Sequence, residues 1–238
     1  MARENNSLIP EAGHLYVVAT PLGNLADFSK RALSILSECD LIACEDKRTT
    51  GSLLKNLGLK KELIAYHEHN EKILSDPLTK ILQEGKSIAL ISDAGTPGIS
   101  DPGFRLVREC RRKKIPVVPV PGPSALITLL SVSGLPTNGF LFVGFLPSKK
   151  SARLKFFTNY VDFDYTIVLY ESCHRIEKFL KDAAEVFGPD RCLALGREMT
   201  KMHETFHIGT IAEIDQQLAS ASLKGEFVIL IAPAKYEL

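Results

Sequence analysis

The chain has 238 residues, 45% hydrophobic and 24% charged, which allows one large domain or two small ones around a sizeable core. Its formal net charge is +1, so no global positive field marks a nucleic-acid binder, and an RNA role would need a local basic patch. The five cysteines include no C-x-x-C pair, the opening MARENNSLIPEA is too polar for a secretory leader, and no apolar run reaches membrane-span length. Together these point to a cytoplasmic protein with reduced thiols.

In chain order, LYVVA (15–19) reads as a buried strand. Asp27 is the expected cap of a helix that turns Leu33, Ile35 and Leu36 inward. LIAC (41–44) is a second strand, and Thr49 or Thr50 opens a helix that ends at Gly58. LIAY (63–66) is a third strand, followed by a helix to Glu84. SIALIS (87–92) is a fourth, and Asp101 with Pro102 forms an N-cap and N1 pair for FRLVRECRRK. PVVPV (116–120) is a fifth strand, placed at a sheet edge by its prolines, and PSALITLLSV makes a short apolar helix.

Five strands alternating with helices imply an α/β fold with an open, mostly parallel sheet. The chain turns twice within GLPTNG (134–139), which sets a boundary between an N-terminal α/β domain, 14–134, and a C-terminal one, 135–238; residues 1–13 form a tail. In the second half FLFVGF, YTIVLY, CLALG, ETFHIG and EFVILIA are strand candidates. Thr210 and Glu213 form a capping box.

Ligands of open parallel sheets bind beyond the carboxyl ends of the strands. Four loops lie at that edge: TPLGNL (20–25), CEDKRTT (44–50), SDAGTPGISDPG (92–103) and VPGPSA (120–125). Neither G-x-G-x-x-G after the first strand nor G-x-x-x-x-G-K-[ST] occurs, which disfavours a phosphate-cradled cofactor. The glycines of 92–103 permit close backbone approach by a ligand, and Pro97 and Pro102 stiffen the loop. A ligand with an adenosyl group, a sulfonium and an amino-acid tail would suit such a loop, a choice that spacing alone does not make.

Several blocks then occur in a telling order: TPLGNLADFSKRAL, ACEDKRTT, YHEHNE, ISDAGTPGISDPG, PVPGPSAL, SGLPTNGFLFVGFLP, YESCHRI and REMTKMHE. On these the chain resembles the tetrapyrrole methylase superfamily of S-adenosylmethionine (SAM) enzymes, and within it the small-subunit ribosomal RNA methyltransferase I family. The resemblance runs from residue 14 almost to the end. It implies two α/β domains of the tetrapyrrole methylase type, the first with a mostly parallel five-stranded sheet and the second with a mixed sheet, SAM in the cleft between them, a homodimer, and 2′-O-methylation of a cytidine ribose in the decoding region of 16S rRNA in the small ribosomal subunit. The reaction requires no metal. Lys47 stands where the family has threonine in E-D-T-R, Cys173 replaces proline in Y-E-S-P-H-R, and the sequence stops soon after EFVILIA, before the helical extension some relatives carry.

By resemblance the SAM site uses Pro21, Leu22 and Gly23; Asp93, Ala94, Gly95, Thr96, Pro97 and Ile99; and Ser124 and Ala125. Tyr170, Glu171 and the backbone near Met199 complete it. A ribose hydroxyl is a poor acid, so a base or a stabilising charge should assist. The catalytic candidates are Lys201 or His69 near the hydroxyl, with Arg48 on an RNA phosphate. Two basic clusters could touch RNA: Arg108, Arg111, Arg112, Lys113 and Lys114, and Lys149, Lys150, Arg153 and Lys155. Phe156 and Phe157 could stack on bases, although core packing accounts for them more simply. Two rival readings are a corrin or porphyrin C-methyltransferase of the same superfamily and a non-catalytic SAM- or RNA-binding module.

Overall fold

The computed structural model describes residues 9–237; of the expected tail, residues 1–8 lie outside the described residues. The chain folds as two compact units, Met1–Ser124 and Ala125–Leu238. Among the described residues no helix is long and apolar enough to cross a membrane.

In the first unit β1 (Leu15–Val18), β2 (Leu41–Cys44), β3 (Leu63–Ala65), β4 (Ile88–Ile91) and β5 (Val117–Val120) form a parallel sheet in the order β3-β2-β4-β1-β5. Pro119 thus lies on an edge strand, where a missing N–H costs least. Four helices cover the sheet: α1 (Lys30–Glu38), α2 (Lys47–Asn56), α3 (Glu71–Gln83) and α4 (Phe104–Arg112). Alternate strand residues serve opposite faces. Val18, Ile42 and Ile91 pack with Ile35 and Leu36 of α1 and Leu54 of α2, whereas Leu15, Leu41 and Leu90 pack with Leu78 of α3 and Leu106 of α4. β1 and β4 are neighbours whose following helices lie on opposite faces. Their carboxyl ends therefore flank the crevice where the winding reverses.

Three helix starts differ from the expectation. Ser29, not Asp27, caps α1 by accepting from Ala32 N; Asp27 ends a single 3-10 turn, Leu25–Asp27. Asp46 caps α2 by accepting from Arg48 N at 2.7 Å, so the helix starts ahead of Thr49. Before α4 the cap position is Gly103 rather than Asp101, with φ of 145° and its Cα so close to Gly98 N that a Cβ would lie 3.2 Å from it. Gly103 has no side chain with which to cap. Instead the hydroxyl of fully buried Tyr66 accepts from Leu106 N at 3.0 Å, satisfying one of the helix's orphan donors.

The second unit contains α5 (Ala125–Val132), β6 (Phe140–Phe145), α6 (Lys150–Asn159), β7 (Thr166–Ser172), α7 (Ile176–Phe187), β8 (Cys192–Arg197), β9 (Thr205–Thr210), α8 (Ile211–Leu218) and β10 (Glu226–Ile231). Its sheet runs β6-β7-β10-β8-β9 and is mixed: β6 and β7 are parallel and the other pairs antiparallel. Phe157, Phe179 and Ile214 of α6, α7 and α8 fill one face. Leu126, Leu129 and Leu130 of α5 fill the other, against Val168, Ala194 and Val228. α5 is therefore part of this unit's core, and the division falls at Ser124/Ala125, ahead of the turn at 134–139. The capping box of Thr210 and Glu213 forms as expected.

Four cysteines are buried and Cys173 is partly so; among the described residues all are free thiols. Burial pushes the Cys39 and Cys110 thiols up to about 11 and raises that of Cys44.

Arg153 and Asp182 form a buried ion pair, with Arg153 Nε donating to Asp182 Oδ2 at 2.7 Å and Arg153 also reaching Pro147 O and Ser148 O. Removing Asp182 leaves the buried Arg153 guanidinium with only the carbonyl oxygens of Pro147 and Ser148 as hydrogen-bond partners among the described residues and no carboxylate paired to it. Asp182→Ala is expected to destabilise the protein by about 3–5 kcal/mol. Urea unfolding checks this, and the double variant Arg153→Met/Asp182→Leu should recover most of the loss.

Candidate active site

The loops after β1, β4 and β5 are joined at the carboxyl edge of the first sheet. Thr20 N donates to Gly95 O at 2.8 Å and Gly95 N returns to Thr20 O at 3.1 Å, an isolated antiparallel bridge between two loops. Thr96 Oγ1 donates to Pro123 O at 3.1 Å and so ties in the third loop. Gly95 sits at φ of 75°, and a Cβ there would come within 3.3 Å of Leu22 Cδ2. These bonds gather Pro21, Leu22, Gly23, Ala94, Gly95, Thr96, Pro97 and Ser124 at the β1/β4 crevice. Ile99 is exposed on the same loop, and Ala125 lies across the unit boundary as the first residue of α5.

The loop after β2 adds charge. Asp46 N donates to Asp93 Oδ1 at 3.3 Å, and Asp93 N makes a long bond of 3.5 Å to Glu45 Oε2. Partial burial, reinforced by the Asp46 charge, raises Asp93. Burial also raises Glu45, helped by Asp93 and Glu68 and opposed by His67. Asp46 goes the other way: hydrogen bonds from Arg48 hold it down to about 2. The Arg48 guanidinium is 2.6 Å from Asp46 Oδ2 yet 91% exposed, projecting into solvent.

Beside this loop lies an open recess of about 430 Å³, lined by Glu45, His67, His69, Asp101 and Phe104 among others. His67 is oriented by Asn70. Asn70 Oδ1 accepts from His67 N and its Nδ2 donates to Ala65 O, which fixes the amide; Nδ2 also lies 3.2 Å from His67 Nε2. Asn70 stands at the start of α3 but makes no side-chain cap; its amide serves His67. His69 is exposed, with Nε2 3.4 Å from Glu68 Oε1.

In the second unit Tyr170 packs edge-on against Phe142 and Phe145 at centroid distances of 5.1 and 5.8 Å. The Glu171 side chain is fully buried. Its Oε1 accepts from Ser172 N and lies 3.2 Å from Arg175 Nε, and its Oε2 has no partner among the described residues. Burial raises its pKa. Buried Met199 lies between two left-handed residues, Glu198 (φ 51°) and Thr200 (φ 63°), backbone strain of the kind functional loops carry. Lys201 Nζ is 2.9 Å from both Glu198 Oε1 and Glu226 Oε2. Burial works against its charge, but the two carboxylates prevail and raise its pKa, so it stays an ammonium.

The basic clusters are reduced by the structure. Arg153 is buried in its pair with Asp182, which removes it from any RNA face, and Lys150 bridges to Glu185 at 3.0 Å. Lys149 and Lys155 remain exposed. In the other cluster Arg112 pairs with Glu109, Lys113 with Asp76, and Arg108 lies over the Phe104 ring. Phe157 is fully buried in the core. Two parts of this edge escaped the sequence reading: the aromatic wall at Phe104, signalled only by an apolar residue directly after a glycine-rich loop, and the orienting role of Asn70.

The family model for tetrapyrrole (corrin/porphyrin) methylases matches residues 14–215. The fold agrees with solved structures. Uroporphyrin-III-C-methyltransferase from Thermus thermophilus superposes with a TM-score of 0.63 at 20% identity, covering 93% of this chain and 95% of that one. The cobalt precorrin-4 methyltransferase CbiF gives 0.65 at 14% identity, covering 94% and 97%. Sequence similarity is much higher to proteins named ribosomal RNA small subunit methyltransferase I. That of Xylella fastidiosa is 49% identical over 93% of this chain and 82% of its own length, and that of Escherichia coli O157:H7 is 45% identical over 96% and 81%. The chain belongs to the tetrapyrrole methylases and, within them, to the ribosomal RNA small subunit methyltransferase I family.

The Glu45 shift has a pH consequence. Its folded pKa is raised, so the stability it contributes is present below the unfolded carboxylate value and is lost as pH rises through the folded value. Glu45→Gln should match the wild type in acid and exceed it near neutrality. Denaturation midpoints measured between about pH 4 and pH 7 check the sign.

Proposed function

We propose that this protein transfers the methyl group of SAM to the ribose 2′-hydroxyl of a cytidine in the decoding region of 16S rRNA, acting on the small ribosomal subunit in the cytoplasm as a homodimer. One observation carries the reading: 45–49% identity, over more than nine-tenths of the chain, to proteins named for small-subunit rRNA methylation. The corrin and porphyrin enzymes are similar at only 14–20% identity, which supports the shared fold and not their substrates.

The loops at the β1/β4 crevice fit SAM in one testable respect. Gly95 leaves the space that a Cβ would take from Leu22, and the Thr20–Gly95 bridge holds both loops in place before any ligand arrives. Pro21 to Gly23, Asp93 to Pro97, Ile99 and Ser124 are the residues assigned to it from the first unit, and Ala125, Tyr170, Glu171 and Met199 from the second. When bound, SAM supplies a methyl group on a sulfonium, which an oxygen can displace in line. The chain's task is then to align that oxygen and take its proton. His69, exposed and 3.4 Å from Glu68, is the proton acceptor we assign. Lys201, held charged by two carboxylates, is suited to stabilise negative charge rather than to act as a base. Arg48, whose guanidinium faces solvent, is placed to meet a phosphate.

Two outcomes are expected. Gly95→Val, checked for folding by circular dichroism, should bind SAM at least about tenfold more weakly in isothermal titration, a loss of about 1.4 kcal/mol. Incubating unmethylated small subunits with labelled SAM should place the label on one cytidine ribose, and His69→Ala should slow that single-turnover transfer about 100-fold.

A further inference from the structure

The recess beside β2 and β3 has a composition that the SAM assignment does not use. Its volume of about 430 Å³ falls within the range of ligand pockets, about 300–1,000 Å³. One wall is the Phe104 ring, 64% exposed, an unusual position for a large apolar side chain with a polar cavity beside it. Arg108 lies over that ring at 5.3 Å, a contact that holds the aromatic wall in place. The opposite chemistry comes from carboxylates. Glu71 is engaged by Arg105 at 2.8 Å and Glu68 faces His69, whereas Glu45 takes a single long hydrogen bond, from Asp93 N.

This combination selects a ligand class. Glu45, Glu68 and Asp101 repel phosphate, so the nucleic-acid backbone does not belong here. Among the described residues no group of three His, Cys, Asp or Glu side chains is arranged to hold a metal ion. A planar, uncharged ring that carries an amine fits both walls: an aromatic face to stack on and an acceptor for N–H. Unpaired bases splayed from RNA are recognised in this way, and a carboxylate accepting from the cytosine amine is an established pairing.

We propose that the recess receives the base of the methylated nucleotide, a cytosine, stacked on Phe104 with its 4-amino group donating to the Glu45 carboxylate. The proposal rests on the reading of the protein as a cytidine methyltransferase and adds how the base is chosen. Uracil presents an oxygen where cytosine presents the amine, and that oxygen would face a carboxylate with no hydrogen between them. The expected preference is about tenfold or more.

Small subunits reconstituted with cytidine or uridine at the modified position provide the first test. Phe104→Ala should lower single-turnover kcat/KM about tenfold with SAM affinity unchanged, Phe104→Trp should restore it, and Glu45→Gln should narrow the cytidine-over-uridine ratio. Wild-type rates in Phe104→Ala, or an intact ratio in Glu45→Gln, overturn the proposal. A second measurement does not depend on methyl transfer. The imidazole NMR signals of His67 and His69 in the full-length protein should shift on adding cytidine and not on adding uridine. No shift, or equal shifts, overturns the recess as a base site even where methylation occurs. A wild-type protein that methylates no small subunit yet shows the cytidine-specific shift would overturn the rRNA reading and support the recess.

Discussion

Two backbone hydrogen bonds between Thr20 and Gly95 fix the loops at the carboxyl edge of the first sheet. They join the loops of β1 and β4, the neighbouring strands at which the helices change sides of the sheet. A side chain at position 95 would crowd Leu22, and φ of 75° would strain any residue other than glycine. The glycine is therefore required by the bridge, and the bridge holds the loops closed on one another. A ligand bound at these loops would cost little ordering of this part of the backbone.

Electrostatics around the crevice follow from the same linkage. Asp93 sits near the start of that loop, with Asp46 and Glu45 of the β2 loop bonded to it in series. Neighbouring carboxylates are driven apart in acidity: Asp46 is committed to Arg48 and strongly acidic, while Glu45, half buried and short of donors, holds its proton more firmly. Two adjacent residues thus present different chemistry, a fixed ion pair toward solvent and an acceptor toward the recess.

Much of this was legible in the sequence. The ten strands among the described residues, the parallel first sheet and the edge position of Pro119 follow from short β-branched runs, their alternation with helices and proline's missing donor. Helix starts were less legible, because several polar residues compete for one cap. Asp27 and Ser29 are both good candidates, and only the path of the chain selects Ser29. The cap of α4 could not be read locally at all, since the Tyr66 hydroxyl that serves it comes from 40 positions earlier in the chain. The domain boundary was displaced because α5 is apolar enough to belong to either core, and its partners, Val168, Ala194 and Val228, are distant in sequence. Likewise Arg153 looks like a surface cation beside Lys149 and Lys150 until Asp182 of the next helix meets it inside the fold.

The cysteines carry a practical meaning. Cys39, Cys44, Cys110 and Cys192 are sealed in the two cores, and for Cys39, Cys44 and Cys110 burial also suppresses the thiolate that reagents attack. Cys173, in the segment YESCHRI, is the only cysteine among the described residues that is not fully buried. Cys173 is thus a natural attachment point for a fluorophore or spin probe, two residues from Glu171, with no engineered mutation needed.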